Sequence, residues 1–198
     1  MTSRAAVMIS GRGTNMVSIA RRVRSGLLDM DIRFVGCDNE QAEGLEAAAS
    51  LGLRPAVFSY ASRGRAEAER QMLDALKKDN VDWLVLAGFM KILSAGFIAS
   101  FRGRIINIHP SLLPSFPGAH SIEKAWLSGV HVSGVTIHYV DEQVDHGPIL
   151  AQEPVRILPD DTLEDFETRI HSVEHRLYPD TLALVLQGDL EPFSRGGA

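Results

Sequence analysis

The sequence predicts an α/β fold: a doubly wound, mostly parallel sheet with an antiparallel C-terminal strand pair and a closing helix. Three observations carry this. Short apolar runs recur through the first two-thirds of the chain, at Ala5–Ile9, Ile32–Cys37, Ala56–Phe58, Trp83–Ala87 and Arg104–Ile108. Continuous runs, in place of strict alternation, mark strands covered on both faces, as in a parallel sheet. Helical patterns separate them, and this βαβ rhythm builds a sheet whose ligands bind beyond the carboxyl ends of its strands. After residue 130 the pattern changes to two β-rich segments joined by a Gly-Pro turn, which is how an antiparallel pair reads.

The elements follow in order. Met16, Ile19, Ala20, Val23 and Leu27 fall at i, i+3, i+4, i+7 and i+11, one stripe of an amphipathic helix after the first strand. A second helix is expected over 66–78, using Leu73 and Leu76 within a charged surround. Val132–Val140 and Ile149–Ile157 form the expected strand pair, with Asp145-His146-Gly147-Pro148 in the turn. The last helix opens at Thr162, an N-cap residue with Asp165 placed as in a capping box. Its stripe is Leu163, Phe166, Ile170, Val173 and Leu177, and Pro179 is expected to interrupt it. Ser194 to Ala198 reads as a loose tail.

Composition narrows the function classes. The 198 residues suit one α/β domain, and 45% hydrophobic with 23% charged residues predict an ordinary core. Twenty basic against 25 acidic residues give a net charge of −5, which argues against a chain that grips a nucleic-acid backbone. A small anion is still allowed, because a few local donors suffice. Cys37 is the only cysteine, so no intrachain disulfide forms, and its apolar run makes it a buried strand thiol. The apolar run after Met1 is too short for a signal peptide or a membrane span, so no membrane partner and a cytoplasmic location are expected.

Three segments carry chemistry. Ser10-Gly11-Arg12-Gly13-Thr14-Asn15 follows a strand and opens a helix. Glycines let the backbone approach a ligand, and a helix N-terminus offers unpaired N–H groups at the positive end of its dipole. A phosphate is the natural guest, while the dinucleotide and Walker fingerprints both fail for want of their later residues. Asn107-Ile108-His109-Pro110 sits at the end of the fifth apolar run. Strand alternation puts Asn107 and His109 on one side and Ile108 on the other, at the strand end where α/β enzymes keep their chemistry. Asp145 lies in what also reads as a plain turn; its interest is as a carboxylate able to orient and charge an imidazole. Spacing alone leaves its contact with His109 open. The other histidines form no metal-binding spacing, so no metal is expected, and neither Ser10 nor Ser111 sits in a nucleophile elbow.

Taken in order, Ile9–Asn15, Leu86-Ala87-Gly88-Phe89-Met90-Lys91-Ile92-Leu93, Asn107–Pro114, Phe116-Pro117-Gly118-Ala119-His120, Asp145–Ile149 and Glu174-His175 resemble the folate-dependent glycinamide ribonucleotide formyltransferase family. The resemblance covers most of the chain and implies a Rossmann-like formyltransferase fold. It implies one domain over 1–198, with a phosphate-binding βαβ half over 1–110 and folate-site loops, strand pair and helix over 111–198. Gly13, Thr14 and Asn15 would hold the substrate phosphate, and Glu174 would contact the amine end. Arg65, Met90, Lys91, Ile92, Leu93, Asn107, Asp141, Glu142, Gln143, Val144 and Asp145 would line the folate site. Asn107, His109 and Asp145 would be catalytic, 10-formyltetrahydrofolate would be the co-substrate, and a homodimer is an open expectation because dimers occur in the family. Read alone, Glu174 is a solvated helix charge and Met90–Leu93 is core packing.

Two positions depart from the pattern expected of many relatives: Ala119 replaces a bulkier apolar residue, and His146 replaces a small one beside Asp145. Among rivals, a methionyl-tRNA formyltransferase would be expected to add a basic C-terminal domain, and a sugar-nucleotide formyltransferase to lack the glycine loop. The runner-up is a formyltetrahydrofolate hydrolase, which resembles this chain in its residues but is expected to carry a second His where this chain has Pro110. A non-catalytic nucleotide-binding protein would keep the glycine loop without requiring Asn107, His109 and Asp145 together.

Overall fold

A computed structural model describes residues 2–192, so the expected tail over 194–198 lies outside the described residues. The chain divides into two compact units, Met1–Ile106 and Asn107–Ala198.

In the first unit, β1 (Ser3–Ile9), β2 (Met30–Cys37), β3 (Pro55–Val57), β4 (Trp83–Leu86) and the start of β5 (Ile105–His109) lie in the order β3-β2-β1-β4-β5. β1 pairs in parallel with β2 and β4, and β2 with β3. Residues 5–9 of β1 are fully buried, as a central strand covered on both faces requires. The helices between are α1 (Thr14–Arg24), α2 (Glu43–Ser50), α3 (Tyr60–Arg63), α4 (Arg65–Lys78) and α5 (Ala95–Ser100).

Two stripes need correction here. α1 buries Met16, Ile19 and Ala20 as expected, but it stops at Arg24 and leaves Leu27 exposed. Gly26 takes a left-handed φ of 75°; its N–H donates to the Val23 carbonyl and the Leu27 N–H to that of Arg22, the paired bonds of a Schellman stop. In α4 the buried residues are Ala68, Glu69, Met72 and Leu76, so the inward row runs at i, i+4 through Met72, with Leu73 only half-buried at its flank.

In the second unit, β5 continues to His109, and β6 (Val132–Tyr139) and β7 (Ile149–Arg156) follow in the order β5-β6-β7. β6 and β7 are antiparallel, from Val132 opposite Arg156 to His138 opposite Ile149, with an irregularity between Ile137 and His138. Pro154 is tolerated because β7 ends the strand order. α6 (Ser121–Leu127) and α7 (Leu163–Gln187) complete the unit, and Trp126 stacks on Phe166 at 6.4 Å between ring centroids.

α7 runs 25 residues straight through Pro179, contrary to the interruption expected from sequence. The inward row explains this. It passes from Phe166 and Ile170 to Glu174, Tyr178, Leu182 and Val185, keeping near four-residue spacing across the proline, while Val173 and Leu177 turn only half inward. Burial on both sides of Pro179 offsets the lost backbone bond, worth roughly 3 kcal/mol in a helix interior. At the other end, Thr162 and Asp165 make the full capping box. Thr162→Ala is expected to cost about 1 kcal/mol, read as a drop in Tm with kcat unchanged. Among the described residues no helix is long and apolar enough to cross a membrane.

Candidate active site

The expected site residues fall into two groups, one in each unit. In the first unit, the turn after β1 brings Gly13 to a left-handed φ of 70° at the N-cap of α1. A side chain there would be strained, and its Cβ would stand 3.2 Å from the Gly44 Cα. α1 has no side-chain cap hydrogen bond and no acidic residue in its first turn, so no carboxylate of that turn offsets the positive end of its dipole. Ser10 fixes this loop to a second one: its N–H donates to the Gly88 carbonyl (3.1 Å), and its Oγ accepts from the Met90 N–H (2.7 Å). Ser10 therefore braces two expected ligand segments and is not placed as a nucleophile.

The Met90–Leu93 segment departs from core packing. Met90 and Ile92 are exposed, and only Leu93 is buried. Arg65 donates to the Ile92 carbonyl (2.7 Å) and to Glu69 (3.2 Å); Glu69, almost fully buried, also accepts from the Ser94 N–H (2.9 Å). Lys91 pairs with Asp38 at 3.3 Å. Exposed apolar side chains on a segment held this firmly form a surface suited to an aromatic ligand.

In the second unit, Asn107 and His109 project from the carboxyl end of β5. His109 is 5% exposed and has oxygens at both ring nitrogens. Nε2 lies 2.9 Å from the Phe116 carbonyl oxygen, and Nδ1 lies 3.3 Å from Asp145 Oδ2. A carbonyl only accepts, so Nε2 carries hydrogen and donates. Asp145 Oδ2 also accepts from the Gly118 N–H at 2.7 Å. Phe116 and Asp145, which both contact His109, have positive φ without being glycine, which puts backbone strain on the two segments that meet there.

Asn107 meets a residue that sequence reasoning missed. Its Nδ2 lies 3.2 Å from Nε2 of His138, which is 2% exposed and stands 3.8 Å from Asp145 Oδ1. Burial holds the His138 imidazole below its ordinary value, against the Tyr139 carbonyl and the Asp145 charge, which both raise it. The sequence did contain a signal: Thr136 and His138 are a polar i, i+2 pair at the end of an apolar strand, the same pattern as Asn107 and His109.

The rest of the group is less uniform. His146 turns from Asp145 to Asp141, with Nδ1 2.9 Å from Oδ2. Burial raises the Asp141 carboxyl, but the His146 and Gln143 N–H bonds outweigh it and leave it below the ordinary range. Glu142, Gln143 and Val144 are exposed along the same turn. Glu174 is 4% exposed and bonded to His171 Nδ1 at 2.9 Å, so the solvated helix charge is ruled out. Ser111 is fully buried, with its Oγ donating to the Ser115 carbonyl, a structural role. Among the described residues, no group of three or more His, Cys, Asp or Glu is arranged to hold a metal ion.

Comparison with known proteins identifies the family. The formyl transferase family model matches residues 3–182. Phosphoribosylglycinamide formyltransferase of Bacillus subtilis (strain 168) is 38% identical over 182 residues, covering 91% of this chain and 93% of that one. The crystal structure of phosphoribosylglycinamide formyltransferase from Bacillus halodurans is similar with a TM-score of 0.90 at 41% identity, covering 93% of this chain and 95% of that one. Glycinamide ribonucleotide transformylase 1 from Symbiobacterium toebii gives a TM-score of 0.93 at 37% identity, covering 98% and 92%. The chain belongs to the formyl transferase family, among the phosphoribosylglycinamide formyltransferases.

Proposed function

We propose that this chain transfers the formyl group of 10-formyltetrahydrofolate to the amine of glycinamide ribonucleotide, a cytoplasmic step of purine biosynthesis. The carrying observation is the polar cluster at the end of β5, where the buried His109 faces Asp145 and Asn107 faces the buried His138. The substrate nitrogen attacks the formyl carbon, forming a C–N bond and a tetrahedral intermediate with negative charge on oxygen. An Asn107 N–H donates to that oxygen, and one such donor supplies about 3 kcal/mol. The C–N10 bond then breaks as His109 gives a proton to the leaving folate nitrogen, and the proton lost by the attacking amine passes to Asp145, directly or through water. With Nε2–H anchored on the Phe116 carbonyl, Nδ1 beside Asp145 is the nitrogen that exchanges its proton.

Gly13, Thr14 and Asn15 bind the phosphate in this reading, and Glu174 the amine end. Arg65 holds Met90–Leu93, and these residues contact the folate in this reading, as do residues 141–145; no metal takes part. The test is whether deformylation depends on the acceptor. Turnover of 10-formyltetrahydrofolate is expected only when glycinamide ribonucleotide is added. Equal turnover with water alone would favour the hydrolase.

A further inference from the structure

His138 lies one residue before the end of β6, and its Nδ1 is 2.8 Å from the Tyr139 carbonyl oxygen. That oxygen only accepts, so Nδ1 carries the hydrogen. Burial keeps the ring neutral, which leaves Nε2 with a bare lone pair. The lone pair faces Asn107 Nδ2 at 3.2 Å. Turning the amide over would put Oδ1 against it, lone pair to lone pair, so a neutral His138 selects one orientation of Asn107. One Asn107 N–H is then spent on His138, and the second is left for an oxyanion.

We propose that His138 is a positioning residue that acts through Asn107, its Nδ1–H tautomer holding the amide so that one N–H stays available to the reacting oxygen. This rests on the formyl-transfer reading above. Protonation undoes the arrangement. It makes Nε2 a donor, which repels the Asn107 N–H and is drawn to Asp145 Oδ1 at 3.8 Å. The groups that face the ring are Asn107 and His109 from β5, Tyr139 from β6, and Asp141 and Asp145 from the following turn. Asp141 and Asp145 favour the charged ring, while His109 and the dominant effect of burial oppose it. The neutral form is the active one, so kcat acquires an acid limb below about pH 6.5, the ordinary histidine value.

The experiment is a mutant cycle read as kcat, KM and pH profile with 10-formyltetrahydrofolate and glycinamide ribonucleotide. His138→Leu is expected to lower kcat about 10- to 100-fold, at most the loss of one oxyanion donor, with both KM values within about twofold. His138→Gln, which keeps an acceptor for Asn107, is expected to recover most of that loss and to abolish the acid limb. In an Asn107→Ala background, His138→Leu is expected to add almost nothing. Nitrogen-15 NMR of the wild-type protein is expected to show His138 protonated at Nδ1 and bare at Nε2. An additive cycle, an acid limb surviving in His138→Gln, or the Nε2–H tautomer each overturns this role while leaving formyl transfer intact. A wild-type protein that turns over no faster with the acceptor overturns the formyl-transfer reading and this role with it. The NMR result stands whether or not a variant folds.

Discussion

Asp145→Asn and His109→Ala are each expected to lower kcat by about 10²- to 10⁴-fold, the usual worth of general acid–base catalysis, while both substrates still bind. The choice of Asn at 145 matters. Asp145 Oδ2 has two tasks, accepting the Gly118 N–H at 2.7 Å and facing His109 Nδ1 at 3.3 Å. An asparagine oxygen still accepts from Gly118, so the loop stays anchored and only the charge beside the imidazole is lost. Asp145→Ala removes both, and its Tm is expected to fall below that of Asp145→Asn. At position 109, Ala leaves the Phe116 carbonyl without its donor, and an unsatisfied buried acceptor costs about 1–3 kcal/mol. His109→Gln keeps a donor at that side and separates folding from chemistry. Substrate dissociation constants from equilibrium titration, set beside kcat, distinguish the cases. Near-wild-type turnover in both Asp145→Asn and His109→Ala would sink the mechanism.

The strands were legible because each is a short, unbroken apolar run, a pattern with few alternative explanations. The five early runs and the later pair all became strands, with ends displaced by one or two residues. The short helices were not legible. α2 buries only Gly44 and Ala48, and α5 and α6 have six and seven residues, too few turns for an apolar row to repeat. Pro179 misled because propensity is local, whereas the row from Ile170 to Val185 that holds α7 together is tertiary.

Within the candidate site, Asn107 and His109 were legible from strand alternation, since period two places them on one side of β5 whatever else happens. The partners were not. The contacts of Asp145 and His138 depend on how a turn and a neighbouring strand return to β5, and that is a matter of register, which spacing along the chain does not carry. Glu174 shows the same limit. In sequence it is one acid in a charged helix, and only the drift of the inward row of α7 turns it into a buried carboxylate.

Gly147→Ala is expected to damage both stability and turnover, through the strand end that holds His138. A Cβ on Gly147 would run into the Tyr139 carbonyl oxygen and stand 2.8 Å from its carbon. Those are backbone atoms, so no side chain can swing aside. The same Tyr139 oxygen accepts from His138 Nδ1, and the Tyr139 N–H donates to the Pro148 carbonyl at 2.9 Å. The turn can accommodate a methyl group only by moving away from β6, which breaks the Pro148 bond, or by pushing the Tyr139 carbonyl off His138. Overpacking of this kind typically costs about 1–3 kcal/mol, here read as a Tm lowered by several degrees. Gly96→Ala is the control: it lies in α5 with no heavy atom within 4 Å of the added carbon. There the change is expected to raise stability by about 0.4–1 kcal/mol, by restricting the unfolded chain. If the Tm and kcat of Gly147→Ala match those of wild type, the close approach is wrong. A fall in kcat at temperatures well below the lowered Tm ties the glycine to His138 and not to folding alone.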